Sequence, residues 1–254
     1  MRVLIAISLF VMLAGIVTRP VADNVSRSKP LQNGAPNIIV ILADDLGYGD
    51  PTCFNPRFKI ATPNLDRMAT NGLRLLDAHA PGPWCVPSRY GLLTGRYPAR
   101  ITLNWQQRSL IGARQLTLAS MLKQHGYTTA CVGKWHLGFD STATGPTPQP
   151  TPRLRGGPLD HGFDSFFGLP ASLDIPPYCY IDNDHYVRPL TDSTAEHQSP
   201  DATTAISGAF WRAGSMARGF VHQDVLTTLT DKALTRLKTH HRQQPTVPLF
   251  LYLG

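Results

Sequence analysis

Between Asn37 and Ala43 the chain runs Asn-Ile-Ile-Val-Ile-Leu-Ala, and it then turns abruptly acidic at Asp44-Asp45. An aliphatic, β-branched run this short, with no alternation of apolar and polar residues, predicts a buried central strand. Such a strand needs helices on both faces of its sheet. Two adjacent carboxylates cannot continue in that interior, so the strand must end at them. Asp-Asp-Leu-Gly suits a turn or helix cap. Paired carboxylates at a strand end also offer hard oxygen ligands to Ca²⁺ or Mg²⁺. The residues alone leave both readings open.

Further along, helical and strand patterns alternate. Thr62-Pro63 predicts the start of a short helix with Leu65, Met68 and Ala69 on one face, closed by Gly72. Thr117 predicts the cap of a second helix carrying Leu118, Met121 and Leu122, stopped by Gly126. Tyr127 to Val132 reads as a strand that delivers Gly133-Lys134-Trp135-His136. A longer helix, from about Gln223 to His240, has Val225, Leu226, Leu229, Ala233 and Leu237 as its apolar stripe and basic residues in its last turn. Val247 to Leu253 is a final buried strand. Residues 144 to 158 are rich in Pro and Gly and predict an exposed loop, and residues 170 to 220 an irregular rim. The alternation predicts an α/β fold, a mostly parallel or mixed sheet sandwiched by helices. Ligands in such folds bind beyond the carboxyl ends of the strands, where both Asp44-Asp45 and Lys134 to His136 fall.

The 254 residues, 42% hydrophobic and 16% charged, suffice for one sizeable domain with a core. Lys and Arg exceed Asp and Glu by 24 to 17, a balance that suits an anionic substrate and equally a merely basic surface. No dense Lys/Arg run argues for nucleic acid as a partner. At the N-terminus, Arg2 precedes an apolar run from Val3 to Val17, shorter than the roughly 20 residues of a membrane span. This predicts a signal peptide over 1–22 and a linker over 23–36, with an uncleaved anchor as the alternative. A secreted or periplasmic protein with no stable membrane span follows. Cys53, Cys85, Cys131 and Cys179 are widely separated, which excludes a Cys-x-x-Cys zinc knuckle or redox pair.

Cys85 opens the most informative stretch, Cys85-Val-Pro-Ser-Arg89-Tyr-Gly-Leu-Leu-Thr-Gly95-Arg96. A proline two residues after the cysteine suits a helix start, and Gly95 its end. The helix N-terminus would then favour an anionic group beside Cys85. A thiol phosphatase would want an arginine six residues after its cysteine, and position 91 is glycine. Nothing local supports a cysteine protease.

The run resembles the sulfatase signature, Cys-x-Pro-Ser-Arg followed by Thr-Gly-Arg. Ile-Leu-Ala-Asp44-Asp45-Leu-Gly-Tyr-Gly-Asp50 resembles the N-terminal motif of the same family, Gly133-Lys-Trp-His-Leu-Gly138 its second motif, and Asp160 to Gly168 a further segment. The resemblance covers Asn37 to Leu253 and implies an alkaline-phosphatase-like sulfatase fold, with 37–254 as an N-terminal catalytic portion incomplete at its C-terminus. It implies sulfate-ester hydrolysis after a formylglycine-generating enzyme oxidises Cys85 to formylglycine. In that reading Asp44, Asp45 and an oxygen of the modified Cys85 bind Ca²⁺, or Mg²⁺ in its place. Arg89 and His136 serve the nucleophile as catalytic residues, and Lys134 binds the substrate sulfate. The substrate is a sulfated small molecule or carbohydrate. Arg96 is assigned to the surface, and the aromatics of 163 to 167 to packing. Two alternatives remain: a phosphonate or phosphate monoester hydrolase of the same fold, and an inactive fragment that at most binds a sulfated ligand.

Overall fold

A computed structural model describes residues 34–104, 108–140, 153–201 and 208–254. The predicted signal peptide, nearly all of the linker, and most of the Pro/Gly-rich loop lie outside them. Among the described residues, no helix is long and apolar enough to cross a membrane.

The elements follow the predicted alternation: β1 (Ile38–Ile41), α1 (Pro63–Asn71), α2 (Cys85–Thr94), α3 (Leu118–Gln124), β2 (Thr128–Lys134), β3 (Ser165–Leu169), β4 (Ile181–Asp182), β5 (His185–Tyr186), β6 (Asp192–Thr194), β7 (His197–Gln198), β8 (Phe210–Trp211), β9 (Gly214–Met216), α4 (Val225–Gln243) and β10 (Leu249–Leu253). A six-stranded sheet has the order β1-β10-β2-β3-β4-β5. Its first four strands are parallel, and β4 and β5 are antiparallel additions. The predicted irregular rim contains two small ribbons, β6–β9 and β7–β8.

Side-chain alternation on the strands builds a core on each face. Phe250 and Tyr252 of β10, Cys131 of β2 and Phe166 of β3 pack with Val86, Tyr90 and Leu93 of α2 and Leu122 of α3. Leu249, Leu251, Ala130, Val132 and Phe167 face the other way, against Val225, Leu229 and Ala233 of α4. Each large apolar side chain buried in this way contributes about 1.5–3 kcal/mol. α3 is fixed by a full capping box, in which the Thr117 hydroxyl accepts from the Ser120 amide and the Ser120 hydroxyl accepts from the Thr117 amide.

Three apolar expectations change. β1 is the edge of the described sheet, not its centre; β10 lies between it and β2. Because α4 packs over β2 and β3, the same-side residues of β1 are uncovered, and Ile39 and Ile41 are 48% and 64% exposed. Leu226 projects from the predicted stripe of α4 into solvent, and no residue of α1 is buried. All four cysteines are free thiols, with Cys131 and Cys179 buried. Burial pushes the Cys179 thiol up to about 12.

The parallel strands converge closely at their carboxyl ends. A Cβ on Gly133 would lie 2.0 Å from the Gly254 carbonyl oxygen, and Gly133 has φ +111°. Only glycine permits both the backbone angle and the approach. The Lys134 amide donates to that same Gly254 oxygen at 2.8 Å, which fixes where the Lys134 side chain leaves the sheet.

Candidate active site

Four strand ends and one helix start meet at the carboxyl edge of the sheet. β1 hands over Asp44 and Asp45, β10 leads into Gly254, β2 delivers Lys134 and His136, and the chain after β3 brings Ser172. Cys85 is the first residue of α2, whose C-terminus closes on Gly95 in the left-handed conformation (φ 64°). The predicted helix from Cys85 to Gly95 is therefore present.

Arg89, one turn after Cys85, has no exposed surface. Its Nη1 donates to the Lys134 carbonyl at 2.7 Å and to the Tyr252 hydroxyl at 3.2 Å, and its Nη2 to Asp44 Oδ1 at 3.3 Å. The guanidinium thus ties the ends of β1, β10 and β2 to α2. Its buried Nε has no hydrogen-bond partner. Lys134 Nζ donates to Asp44 Oδ2 at 2.5 Å and to Ser172 Oγ at 3.2 Å. Burial alone would raise the Asp44 carboxyl, but Lys134 and Arg89 outweigh it and hold Asp44 below its ordinary value.

His136 Nδ1 lies 3.3 Å from Cys85 Sγ. Burial, followed by the charges of Lys134 and Arg89, depresses the imidazole to about 3. It is therefore neutral at physiological pH and can either accept or donate a proton at one ring nitrogen toward Cys85. Tyr252, buried beside Arg89, is pushed up to about 12 by burial and stays a neutral phenol.

All six residues singled out from the sequence fall at this edge. Asp44 and Asp45 line one cavity with Cys85, and Asp44 also lines a second with Arg89 and Lys134. Arg96 is exposed and lines a different cavity, with Gly95, Leu118 and Met121. Ser172 and Tyr252 were not legible as members of the site. Ser172 sits in no motif, and Tyr252 reads as one more apolar-strand residue until the sheet register turns it toward Arg89. Three other histidines are engaged elsewhere: His79 pairs with Asp77, His185 with Asp184, and His222 stacks on Trp211 at 4.1 Å.

Among the described residues, no group of three or more His, Cys, Asp and Glu side chains is placed to hold a metal ion. The cavity with Cys85 does gather two carboxylates, and Asp44 already accepts a cationic group at 2.5 Å. Those hard oxygens fit part of the shell of Ca²⁺, which takes six to eight oxygens, or of Mg²⁺.

The family profile described as Sulfatase matches residues 36–254. The chain is 32% identical to the N-acetylgalactosamine-6-O-sulfatase of Bacteroides thetaiotaomicron, over 86% of this chain and 47% of that protein. It is 39% identical to human steryl-sulfatase over 53% of this chain and 23% of that protein. A solved Bacteroides thetaiotaomicron structure, described in connection with the metabolism of multiple glycosaminoglycans, superposes with a TM-score of 0.67 at 32% identity, covering 86% of this chain and 50% of that one. The chain thus spans about half the length of the bacterial relative and of the solved structure. The fold is that of the alkaline-phosphatase-like sulfatases, and the chain belongs to the sulfatase family.

Proposed function

We propose that these residues form the nucleophile and sulfate-binding half of a secreted or periplasmic sulfatase that hydrolyses a sulfate ester, with Cys85 as the precursor of the nucleophile. The observation that carries this reading is the meeting of Cys85, His136, Arg89, Lys134 and Asp44 at one sheet edge, within the hydrogen-bond network described above. A formylglycine-generating enzyme would oxidise Cys85, and Cys85 Sγ marks where the new oxygens would stand. Formylglycine supplies a hydrated aldehyde, with one hydroxyl to attack sulfur and a second whose deprotonation expels sulfate.

The chain's own residues then have distinct tasks. His136, neutral and 3.3 Å from Cys85 Sγ, holds or moves the proton of a hydroxyl on that side chain. Lys134 offers its ammonium to a sulfate oxygen, with Ser172 as a neighbouring hydroxyl. Arg89 keeps a fixed positive charge one helical turn from the nucleophile. Asp44 and Asp45 would hold Ca²⁺ or Mg²⁺, whose charge would stabilise the anionic sulfate and lower the pKa of the attacking hydroxyl. The basic balance of the chain is compatible with an anionic substrate, and the named bacterial relative supports a sulfated carbohydrate.

The test is mass spectrometry of the Cys85 peptide after co-expression with the maturation enzyme, together with turnover of an aryl sulfate and the matching aryl phosphate. Conversion to the aldehyde with preference for the sulfate is expected. An unmodified thiol, or preference for phosphate, would overturn the reading.

A further inference from the structure

Trp84 stands immediately before the nucleophile, and it is 54% exposed. Its backbone is extended (φ −145°, ψ −177°) where the chain enters α2, and it lines the cavity of about 270 Å³ that holds Cys85, Asp44 and Asp45. The other two described tryptophans are used structurally. Trp135 is 1% exposed and donates its Nε1 hydrogen to the Gly138 carbonyl at 3.0 Å. Trp211 is sandwiched between His197 and His222, each at 4.1 Å. No such ring or hydrogen-bond partner occupies the Trp84 indole among the described residues. A large aromatic surface left open at the mouth of a reactive cavity is the feature a ligand ring would cover.

We propose that Trp84 is a specificity-determining residue that stacks on the pyranose ring of a sulfated sugar whose sulfate lies at Cys85 and Lys134. The assignment rests on the sulfate-ester reading above and adds the recognition of what the sulfate is attached to. A pyranose has an apolar face of C–H groups and a hydroxyl edge. The negative face of an indole attracts those polarised C–H groups, while the half-open rim leaves the hydroxyls in water. A wholly apolar leaving group would gain more from an enclosed pocket. Trp84 and Cys85 are adjacent in sequence and line the same cavity, so a sugar whose sulfate reacts at Cys85 has the indole within reach. Leu46 and Pro83 on the same cavity add apolar wall beside the indole.

The test is calorimetric titration of the 254-residue chain and its Trp84→Ala and Trp84→Phe variants with inorganic sulfate, methyl sulfate and a hexose 6-sulfate, at fixed Ca²⁺. The hexose 6-sulfate should bind the native chain about tenfold more tightly than methyl sulfate, a factor typical of one aromatic contact. Trp84→Ala should erase that margin and Trp84→Phe keep most of it, with inorganic sulfate binding unchanged in both. Sulfate binding with the hexose margin intact in Trp84→Ala, or with no margin in the native chain, overturns the Trp84 assignment alone. No binding of inorganic sulfate to the native chain overturns the sulfate-site reading and this assignment with it.

Discussion

Arg89 and Tyr252 meet across the carboxyl edge of the sheet, with Arg89 Nη1 donating to the Tyr252 hydroxyl at 3.2 Å and both side chains wholly buried. That contact joins the helix bearing Cys85 to β10, and so to the strands bearing Asp44 and Lys134. Tyr252→Phe keeps the ring in the core and removes only the acceptor. It should cost about 1 kcal/mol, read from urea unfolding midpoints, because one buried guanidinium hydrogen loses its partner. An unchanged midpoint would show that the hydroxyl does not hold Arg89.

The glycine approach at the strand ends gives a steeper effect. In Gly133→Ala the new Cβ would meet the Gly254 oxygen at 2.0 Å, and the residue would keep φ +111°. Overlap and backbone strain together should destabilise the chain by about 3 kcal/mol or more. Equilibrium unfolding checks this. Gly112→Ala, whose new Cβ would meet its nearest neighbour at 3.9 Å, is the control and should be close to neutral.

Stability should fall as pH drops below about 6.5, the ordinary value of histidine. Burial lowers the His161 imidazole, which sits between Ser109 Oγ and the Gly156 carbonyl at 3.1 Å each. Its folded pKa is below its unfolded one, so acidification protonates the unfolded chain first and draws the equilibrium toward it. Thermal midpoints between pH 7.5 and 5.5 should decline, buried His136 and half-buried His222 contributing in the same direction, and His161→Gln should make the decline shallower by removing one of these groups. A native profile flat across that window would contradict the assignment.

Lys134 competes for the carboxylate offered to a cation. Lys134→Met frees Asp44 Oδ2 of its 2.5 Å partner and removes a positive charge. Ca²⁺ affinity should rise at least about fivefold by calorimetry, given the size of charge interactions near a protein surface. Asp44→Asn should abolish binding. Equal Ca²⁺ affinities in all three proteins would remove Asp44 from the cation site.

The sequence carried the pieces of this site whose chemistry is local. Cys85 and Arg89 share one helix that Gly95 closes, Asp44-Asp45 ends an apolar run, and Lys134 and His136 follow another. Period and punctuation also mark α2, α3, α4, β2 and β10 to within a few residues. What pattern could not carry was neighbourhood. The run of β1 looks central because five aliphatic residues adjoin in sequence, yet its neighbours leave Ile39 and Ile41 open. Tyr252 and Ser172 join the site only through strand register and a loop path, and Trp84 matters because nothing described covers it. Each of these depends on which elements pack together, information spread over the whole chain.

Everything proposed for this site turns on Cys85 as the source of the nucleophile for sulfate-ester hydrolysis. Its most direct test is sulfate release from an aryl sulfate by protein matured with the formylglycine-generating enzyme, native against Cys85→Ala, both folded by circular dichroism. Release should be measurable from the matured native protein and fall at least about a thousandfold in Cys85→Ala, the scale of removing a covalent nucleophile. Equal rates in the two proteins would contradict it.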